Sequence, residues 1–305
     1  MLTYAAITPA RDEAENLPRL AHCLAQQTAL PAEWVVVENG STDATLDVLA
    51  ELAATHSWIS YLQMEGTSSA ARGKPIVRAL HKAIDSLRTT PDVVVVLDAD
   101  ISFEPQYFAR LLEEFANDPH LGIASGSGYE LRRGRWRQRH LTGSTVWGAT
   151  RAFRKECLEQ VLPFDERLGW DGVDEFKANS LGWRTRVARD LPFRHHRREG
   201  ERDASRWHAR LEQGRVAWYV GYRLYYVLLR AAFNLIRDAG ALGIAVGYLG
   251  AALRRQPQCS DPSVREYVRG QQSLANLPRR AIEALGGPGV RAGDAAARPA
   301  KPLAP

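Results

Sequence analysis

Cysteine is scarce in the 305-residue sequence. It occurs only at Cys23, Cys157 and Cys259, which are far apart, odd in number and without a CxxC pair. This pattern argues against a disulfide framework and a cysteine zinc site, and it predicts free thiols in a reducing compartment. The first residues, MLTYAAITPARDE, also lack a basic segment followed by a long apolar one, so no secretory signal is predicted. Both absences lead us to expect a cytoplasmic protein.

Long apolar runs are also missing, although a membrane-spanning helix needs about 20 mostly apolar residues. Segment 216–236 contains Arg223 and Arg230, and the apolar run at 239–253 is short. Segment 216–253 therefore has three open interpretations: peripheral contact with the inner face of the cell membrane, a helical appendix packed on the rest of the chain, or an oligomer interface. Aromatic residues with flanking arginines are typical of a helix on a membrane surface, and here they are Trp218, Tyr219, Tyr222, Tyr225 and Tyr226.

Neither sign of charge is in large excess. The chain is 25% charged and 45% hydrophobic, with a net charge of +5, which is ordinary for a soluble globular protein. A modest positive charge suits an anionic partner such as nucleotide phosphates, anionic lipid or nucleic acid, and by itself it selects none of them. Nothing else in the sequence favours nucleic acid, which we do not expect as a partner.

Strand and helix patterns alternate over the first 120 residues. Short apolar strands at 4–8, 34–38, 59–62 and 93–97 are each followed by a segment with helical apolar spacing. This order predicts an α/β fold with a doubly wound, mostly parallel sheet. Beyond residue 120 the pattern loosens into strands near 121–124, 147–153 and 185–189, a basic loop at 132–139 and, at 171–181, a loop that runs into a helix. The Gly-, Ala- and Pro-rich end at 286–305 is predicted to be disordered.

Polar residues follow three of the four predicted strands. The first strand ends in TPARDE, the second in Glu38-Asn39, and the fourth in the stretch VVVVLDADIS, which contains Asp98 and Asp100. Ligands of such sheets bind at the carboxyl ends of the strands. Two carboxylates one residue apart can share a hard divalent cation, whose remaining positions are taken by substrate phosphates. Ordinary strand exits and helix caps are the alternative, and they suffice for Ser41-Thr42-Asp43.

Four motifs in order, TPARDEAENL, VVVENGSTDAT, ARGKPIVRAL and VVVVLDADISFEP, resemble the GT-A glycosyltransferases, specifically inverting family 2. The resemblance covers roughly residues 3–200. It implies a GT-A fold with a Rossmann-like nucleotide-sugar-binding half at 1–104 and an acceptor half at 105–200. A helical, membrane-associated region at 201–285 and the tail would then follow.

The resemblance also implies a binding site for a nucleotide-diphosphate sugar, with Asp98 at the ribose or a metal-bound water. Asp100 would hold Mn²⁺ or Mg²⁺, and a later histidine would complete the metal shell, with His196 favoured over His195. Glu38 stands where the family usually has an aspartate that contacts the base. The remaining donor-site residues implied are Thr8, Pro9 and Arg11 at the base and ribose, and Arg72 with Lys74 at the base or diphosphate.

An inverting transferase also needs a general base for the acceptor hydroxyl. The family places it in an acidic pair, ED, which is absent from the corresponding stretch DERLGWDGVDEF. Asp171, Asp174 and Glu175 compete for the role; we favour Asp174, with Glu175 orienting or binding the acceptor. Acids that begin a helix also interact with its positive end, which is the structural alternative. Trp147 is either a stacking platform for the sugar or a core residue.

The expected function is therefore metal-assisted, inverting sugar transfer to a hydroxyl acceptor such as a lipid-linked or polysaccharide precursor of the cell envelope. A haloacid-dehalogenase-type phosphohydrolase also has a strand ending in DxD, but that strand usually opens its domain. A nucleotidyltransferase needs a glycine-rich first loop, and residues 8–16 contain no glycine. A non-catalytic, membrane-associated protein with the same fold is the third alternative.

Overall fold

The computed structural model describes residues 1–65, 73–139, 146–197, 206–235 and 238–284. Within these ranges one sheet has the strands β1 (Tyr4–Ala10), β2 (Glu33–Glu38), β3 (Ile59–Gln63), β4 (Val93–Leu97), β5 (Ile101–Phe103), β6 (Leu121–Arg132), β7 (Arg135–Gln138), β8 (Thr150–Arg154) and β9 (Arg184–His195). The helices of the first two hundred residues are α1 (Leu17–Ala25), α2 (Thr45–Thr55), α3 (Lys74–Asp85), α4 (Tyr107–Asn117), α5 (Lys155–Val161) and α6 (Trp170–Ser180).

The strand order is β3-β2-β1-β4-β8-β6-β9-β5, with β7 paired to β6. Strands β1 to β4 are parallel to one another, whereas β8 is antiparallel to both β4 and β6. The first half is therefore the parallel, doubly wound sheet that the sequence predicts. The second half is mixed, and the parallel pair β6–β9 continues it.

Strand β4 shows why its sequence is a run of valines. Val93, Val95 and Leu97 enter one hydrophobic core, which α1 and α4 complete. Val94 and Val96 enter a second core on the other face of the sheet, together with α3 and α5. A strand buried on both faces has no polar side to show, so the alternation of polar and apolar residues is lost. The run ends where the strand leaves the sheet, at Asp98.

The second half differs from the prediction in detail. Strand β5, directly after Asp100, was not predicted, and the basic segment 132–139 is mostly a hairpin of β6 and β7 rather than a loop. Strands β6 and β9 each have twelve residues. Their pairing contains a bulge between Gly126 and Ser127, which interrupts the alternation of side chains and hides their length from a periodicity argument.

The chain after residue 205 is helical, as predicted: α7 (Arg206–Tyr219), α8 (Leu224–Leu235), α9 (Leu242–Leu253), α10 (Pro262–Gln271) and α11 (Leu277–Ala284). No helix in the described ranges has both the length and the apolar character needed to cross a membrane. The predicted domain boundary at residue 200 and the tail at 286–305 lie outside the described residues.

Helix α10 packs directly on α6, so the helical region touches the first two hundred residues. Val173 of α6 shares a buried cluster with Val264 and Val268 of α10. The rings of Phe176 and Tyr267 lie 6.2 Å apart. The helical region is therefore attached through apolar contacts to the segment that carries the predicted base.

Candidate active site

An aspartate pair and an imidazole meet at the carboxyl end of β4. His195 Nε2 lies 3.5 Å from Asp98 Oδ2 and 3.3 Å from Asp100 Oδ1. One ligand atom from each residue falls within 4.8 Å of the others. His195 is the last residue of β9, and its pairing with Ile101 brings the ring beside the loop between β4 and β5. Two carboxylate oxygens and an imidazole nitrogen form a donor set that suits a divalent cation.

The electrostatics of this cluster favour a positive charge between the carboxylates. Burial lowers the pKa of His195, but the hydrogen bonds and charges of Asp100 and Asp98 outweigh it and raise that pKa to about 10. Burial would raise the pKa of Asp100, yet His195 and Arg197 lower it. Asp98 is more open, with 45% of its side chain exposed against 9% for Asp100. The cluster thus has a closed side at Asp100 and an open side at Asp98.

His196, the histidine that the sequence favoured, turns away from the pair. Its Nε2 lies 2.8 Å from Ser102 Oγ, and its ring meets Trp136 edge to face at 5.4 Å between centroids. Only its backbone N–H reaches Asp100, donating to the carbonyl oxygen at 2.8 Å. Side chains of successive strand residues point to opposite faces, so only one of two neighbouring histidines can join the cluster.

Two residues that the sequence did not single out support Asp100 from behind. Arg197 Nη1 and Nη2 donate to the two carboxylate oxygens of buried Glu13 at 2.8 and 2.9 Å. Its Nε lies 3.7 Å from Asp100 Oδ2. The arginine therefore joins the loop after β1 to the cluster. Glu13 was visible in the TPARDE motif, but its partner is 184 residues away and no local pattern indicates it.

Several of the predicted donor residues have partners within the protein. Thr8 is fully buried and its Oγ1 accepts a hydrogen bond from Trp34 Nε1 at 2.9 Å, so this side chain belongs to the core. Glu38 is buried, and its Oε1 accepts a short hydrogen bond from the backbone N–H of Ser41. The side chain of Lys74 is exposed at the start of α3, 3.3 Å from Glu166 Oε2.

The other predicted donor-site residues are Pro9, Arg11 and Arg72. Pro9 is half-buried at the end of β1. Arg11 Nε lies 3.7 Å from Asp12 Oδ2, and Arg72 lies outside the described residues. Asn39, at the end of β2, is buried, and its Oδ1 has no hydrogen-bond partner among the described residues. This amide is a candidate ligand contact that the sequence showed only as part of a polar strand exit.

The loops after β1 and β2 are hydrogen-bonded to each other. The Asp12 N–H donates to Ser41 Oγ at 3.0 Å, and the Thr42 N–H donates to Asp12 Oδ1 at 2.7 Å. Asp43 does act at the start of α2, where its Oδ1 accepts from the Thr45 N–H at 3.0 Å. Ser41 and Thr42, predicted to be capping residues, instead fix the edge at which β1 and β2 end.

Among the three candidate bases, Asp174 is closed off. Its two carboxylate oxygens accept from Arg151 Nε and Nη2 at 3.1 and 2.8 Å. Both side chains are buried, with 1% and 0% exposed. Burial raises the pKa of Asp174 to about 8, although the Arg151 guanidinium acts in the opposite direction. Among the described residues, Asp174 is therefore enclosed by its ion pair with Arg151.

Glu175 is also occupied within the protein. Its Oε2 accepts from the Val146 N–H at 3.1 Å, and its Oε1 lies 3.4 Å from Thr185 Oγ1. Burial raises the pKa of Glu175 to about 7 against the influence of Arg151. Both acids therefore serve the packing of α6 against β8 and the segment before it.

Asp171 is the half-buried member of the trio, in the first turn of α6. Its Oδ2 would lie 3.7 Å from a methyl group placed on Gly148. The next residue, Ala149, accepts a hydrogen bond from the Asp98 N–H at 3.1 Å. Asp171 therefore lies at the same edge of the sheet as the aspartate–histidine cluster, with a glycine leaving the space beside it open.

Trp147, the proposed stacking platform, is a core residue. Only 6% of it is exposed, and its ring meets Phe193 edge to face at 5.7 Å. Its backbone N–H donates to Ser125 Oγ at 3.0 Å. The guanidinium of Arg139 lies over this ring, 4.9 Å from its centre.

Residues 5–175 match the family model described as "Glycosyl transferase family 2". The chain belongs to glycosyl transferase family 2. This membership confirms the resemblance of the four motifs and removes the phosphohydrolase alternative. The family match ends within α6, just after the acidic trio.

Two curated relatives match parts of this family 2 chain. One is the "Polyprenol monophosphomannose synthase" of Mycolicibacterium smegmatis, 32% identical over 51% of this chain and 63% of the relative. The other is the "4,4'-diaponeurosporenoate glycosyltransferase" of Staphylococcus haemolyticus, 24% identical over 42% of this chain. The matched region spans only 32% of the latter protein.

Solved structures share the fold at low identity. The mannosyltransferase PcManGT of Pyrobaculum calidifontis, in complex with GDP-Man and Mn²⁺, has a TM-score of 0.55 at 19% identity over 93% of this chain and 84% of its own. S. aureus TarS in complex with UDP-GlcNAc has a TM-score of 0.53 at 20% identity, over 93% and 80% of the two chains. The GT-A fold expected of a family 2 chain is thereby confirmed.

Proposed function

We propose that the protein transfers a sugar from a nucleotide-diphosphate sugar to a hydroxyl acceptor, with Asp98, Asp100 and His195 holding a divalent cation. The three-ligand cluster at the carboxyl end of β4 carries this proposal. Membership in glycosyl transferase family 2 supports it. So do the fold relatives, whose titles print GDP-Man with Mn²⁺ and UDP-GlcNAc. The cation, when bound, would neutralise charge that develops on the departing nucleoside diphosphate.

The donor would lie across the ends of β1, β2 and β4. The hydrogen-bonded loops after β1 and β2 supply a rigid edge there. The unpartnered Asn39 Oδ1 is available to accept a hydrogen bond from the base. Glu38 shapes the turn through Ser41 rather than offering both of its oxygens. Arg197 keeps Asp100 ionised and in place, since it lies against that carboxylate while pairing with Glu13.

Asp171 is the general base in this proposal, in place of Asp174. It is half-buried, while Asp174 and Glu175 are enclosed with Arg151. A carboxylate at this position would take the proton from the acceptor hydroxyl as the sugar is attacked from the face opposite the leaving group. Inversion at the sugar follows from such a single displacement. A lipid-linked acceptor is the class we favour, because one curated relative is named a polyprenol monophosphomannose synthase.

Calorimetric titration of nucleoside diphosphates, with and without Mn²⁺, tests the cluster. We expect metal-dependent binding by the unaltered protein and at least a tenfold weakening in Asp100→Asn. Asp85→Asn is the matched control, because Asp85 is exposed at the far end of α3 and the chemical change is the same. Equal Mn²⁺-dependent binding by Asp100→Asn and the control would reject the proposed cation site.

Donor identity follows from a thermal-shift screen of nucleotide sugars in the presence of Mn²⁺. A ligand that binds the folded state raises its melting temperature, so the best donor gives the largest increase. That donor, supplied with a polyprenyl-linked sugar that offers free hydroxyl groups as acceptor, should then give a lipid product with one further sugar. Binding of a donor without transfer to any hydroxyl acceptor would instead favour a non-catalytic protein with this fold.

A further inference from the structure

Helix α9 is apolar on every side, and one of these sides faces outward. Its inner side is buried through Gly243, Ile244, Gly247, Tyr248 and Ala251. The outer side is a line of residues spaced by four, three and four positions, which we call the α9 stripe. A helix with no polar side is typical of a protein interior or a membrane. The α9 stripe consists of Leu242, Val246, Leu249 and Leu253, exposed by 51%, 50%, 42% and 84%.

Neighbouring helix α8 has the same pattern. Val227 and Ala231 face inward and pack with Ile244 and Tyr248 of α9. The outward residues Leu224, Leu228 and Leu235 form the α8 stripe, exposed by 45%, 47% and 41%. Two adjacent helices with exposed leucines exceed the scattered single apolar residues that are normal on a protein surface.

Close packing on α7 fixes the direction of the α9 stripe. A methyl group added at Gly247 would lie 2.1 Å from the Leu211 carbonyl oxygen, and one added at Gly214 would lie 2.1 Å from the Ile244 carbonyl oxygen. The backbones of α7 and α9 therefore touch, and only glycine permits it. Helix α9 cannot rotate to bury its leucines without losing this contact.

The positive charge of the protein is concentrated around these helices. Residues 206–284 contain twelve arginines and five acidic residues, whereas the whole chain has 40 basic and 35 acidic residues. The excess of seven positive charges in this region exceeds the net +5 of the chain, so the remainder is net negative. Neither α8 nor α9 contains an acidic residue.

Exposed arginines lie at one end of the pair of helices. Arg254 and Arg255 directly follow the α9 stripe, and Arg223 directly precedes the α8 stripe; all three are exposed. Tyr248 Oη donates to the Tyr222 carbonyl oxygen at 2.7 Å. Only residues 236–241 separate α8 from α9, and the two helices pack side by side, so they run antiparallel and the arginines lie at one end of the pair.

We propose that the α8 and α9 stripes lie on an anionic lipid bilayer, with Arg223, Arg254 and Arg255 at the phosphate headgroups. In an interfacial helix, leucines lie at the boundary between headgroups and acyl chains, and arginines lie beside them. Charge decides against a second copy of this chain, because two strongly basic regions would face each other. The two stripes together cover about 400 Å², from helices about 18 Å long and 10 Å wide, whereas a stable dimer needs about 800 Å² from each partner.

The aromatic residues that suggested membrane contact in the sequence have other roles. Trp218 Nε1 donates to the Gln256 carbonyl oxygen at 2.9 Å, and Tyr219 Oη donates to Asp165 Oδ2 at 2.6 Å. Tyr225 Oη donates to the Gln272 carbonyl oxygen. The Trp218 and Tyr225 contacts lie within the helical region, and the Tyr219 contact joins it to the segment before α6. The proposed membrane surface consists of leucines, Val246 and arginines instead.

Vesicle flotation of the full-length protein tests this inference without any sugar substrate, so its outcome is separate from that of the proposed function. Vesicles of phosphatidylcholine alone are compared with vesicles containing about a third phosphatidylglycerol, at an ionic strength of about 0.1 M. We expect flotation with the anionic vesicles and at least tenfold weaker partitioning with the neutral ones. Absence of flotation with anionic vesicles, or equal flotation with both kinds, overturns the proposal.

Val246→Glu should weaken partitioning by about tenfold or more, because it places a carboxylate in the α9 stripe. Leu30→Glu is the matched control, since Leu30 is similarly exposed, at 59%, but lies between α1 and β2. Arg254→Gln with Arg255→Gln provides a second variant, at exposed positions after the helix, and should remove the preference for anionic lipid. Light scattering tests the alternative occupant, a second copy of this chain. If Val246→Glu dissociates a dimer while flotation is unchanged, this result contradicts membrane binding.

Discussion

Arg151 has oxygen atoms around its whole guanidinium group. It donates to both carboxylate oxygens of Asp174, to the Val146 carbonyl at 2.9 Å and to the Asp171 carbonyl at 2.6 Å. It also lies 3.8 Å from Glu175 Oε2. The guanidinium thus pairs with the two buried acids and donates to the backbone of the third, Asp171, whose side chain is only half-buried.

Asp171→Asn should abolish most transfer while leaving donor binding intact. Removal of a general base typically costs 10²–10⁴-fold in rate, and asparagine keeps the size of the side chain. We expect this loss in kcat, with an unchanged calorimetric Kd for the nucleoside diphosphate and an unchanged melting temperature. Full transfer activity in this variant would return the role to Asp174 or Glu175.

The role of Thr8 depends on the face of the sheet to which its side chain points. Its neighbours in the TPARDE motif lead to the donor edge, but its own Oγ1 accepts the indole N–H of Trp34, which has no exposed surface. Thr8→Val keeps the shape and leaves that N–H without a partner, which costs about 1–3 kcal/mol. We expect this loss of stability in urea unfolding with no change in the KM for the donor. A raised KM at unchanged stability would place Thr8 at the substrate.

Glu175 makes stability fall as pH rises. Its pKa is raised from 4.5 to about 7 in the folded protein, so the folded state holds a proton that the unfolded state releases between about pH 4.5 and pH 7. Stability is lost across this window, by up to about 3 kcal/mol. Glu175→Gln can keep the contacts to Val146 and Thr185 without titrating. Its melting temperature should therefore exceed that of the unaltered protein at pH 8 but not at pH 4.5; an equal difference at both pH values would contradict this.

At the scale of elements, the first half of the fold could be predicted because each strand and helix there has its own period. Val93–Leu97 is apolar throughout and α3 has regular apolar spacing, so local sequence suffices. Strand β5 has three residues and exists through its pairing with β9, about ninety residues later. The same pairing selects His195 for the cluster. Long-range register of this kind has no local signature, and neither does the Glu13–Arg197 pair.

The ion pair between β8 and α6 predicts non-additive effects of substitution. Arg151→Met leaves Asp174 and Glu175 buried without a counter-charge, which costs about 3–5 kcal/mol. Adding Asp174→Leu removes one of these acids and should recover part of the loss in urea unfolding. Arg154→Met is the control from the same strand, because Arg154 donates to the carbonyls of Phe115, Asp118 and Leu121 rather than to an acid. The loss of stability caused by Arg154→Met should add to the change caused by Asp174→Leu. If the effects of Arg151→Met and Asp174→Leu on stability also simply add, this contradicts coupling between Arg151 and Asp174.

For the whole molecule, the helical region was predicted as an appendix, but its contacts involve the segment that carries Asp171. Asp165, shortly before α6, accepts from Tyr219 of α7. The Arg167 guanidinium lies 3.4 Å from the centre of the Tyr219 ring. Ser180 at the end of α6 lies within 3.2 Å of Ser263 of α10. A membrane contact through α8 and α9 would thus act on the segment that carries Asp171 through α7, on which α9 packs directly.

This arrangement predicts that damage to α10 weakens transfer without affecting the cation cluster. Val264→Ala with Val268→Ala leaves space beneath α6, since both valines are buried against Val173. Amide exchange of residues 170–180 should accelerate by about tenfold or more as local opening becomes easier, and kcat should fall while the Kd for the nucleoside diphosphate with Mn²⁺ is unchanged. Ile244→Ala is the matched control, because Ile244 is buried between α7, α8 and α9. If Ile244→Ala accelerates amide exchange in α6 as much as the α10 variant does, general destabilisation explains the faster exchange, and α10 has no specific role in supporting α6.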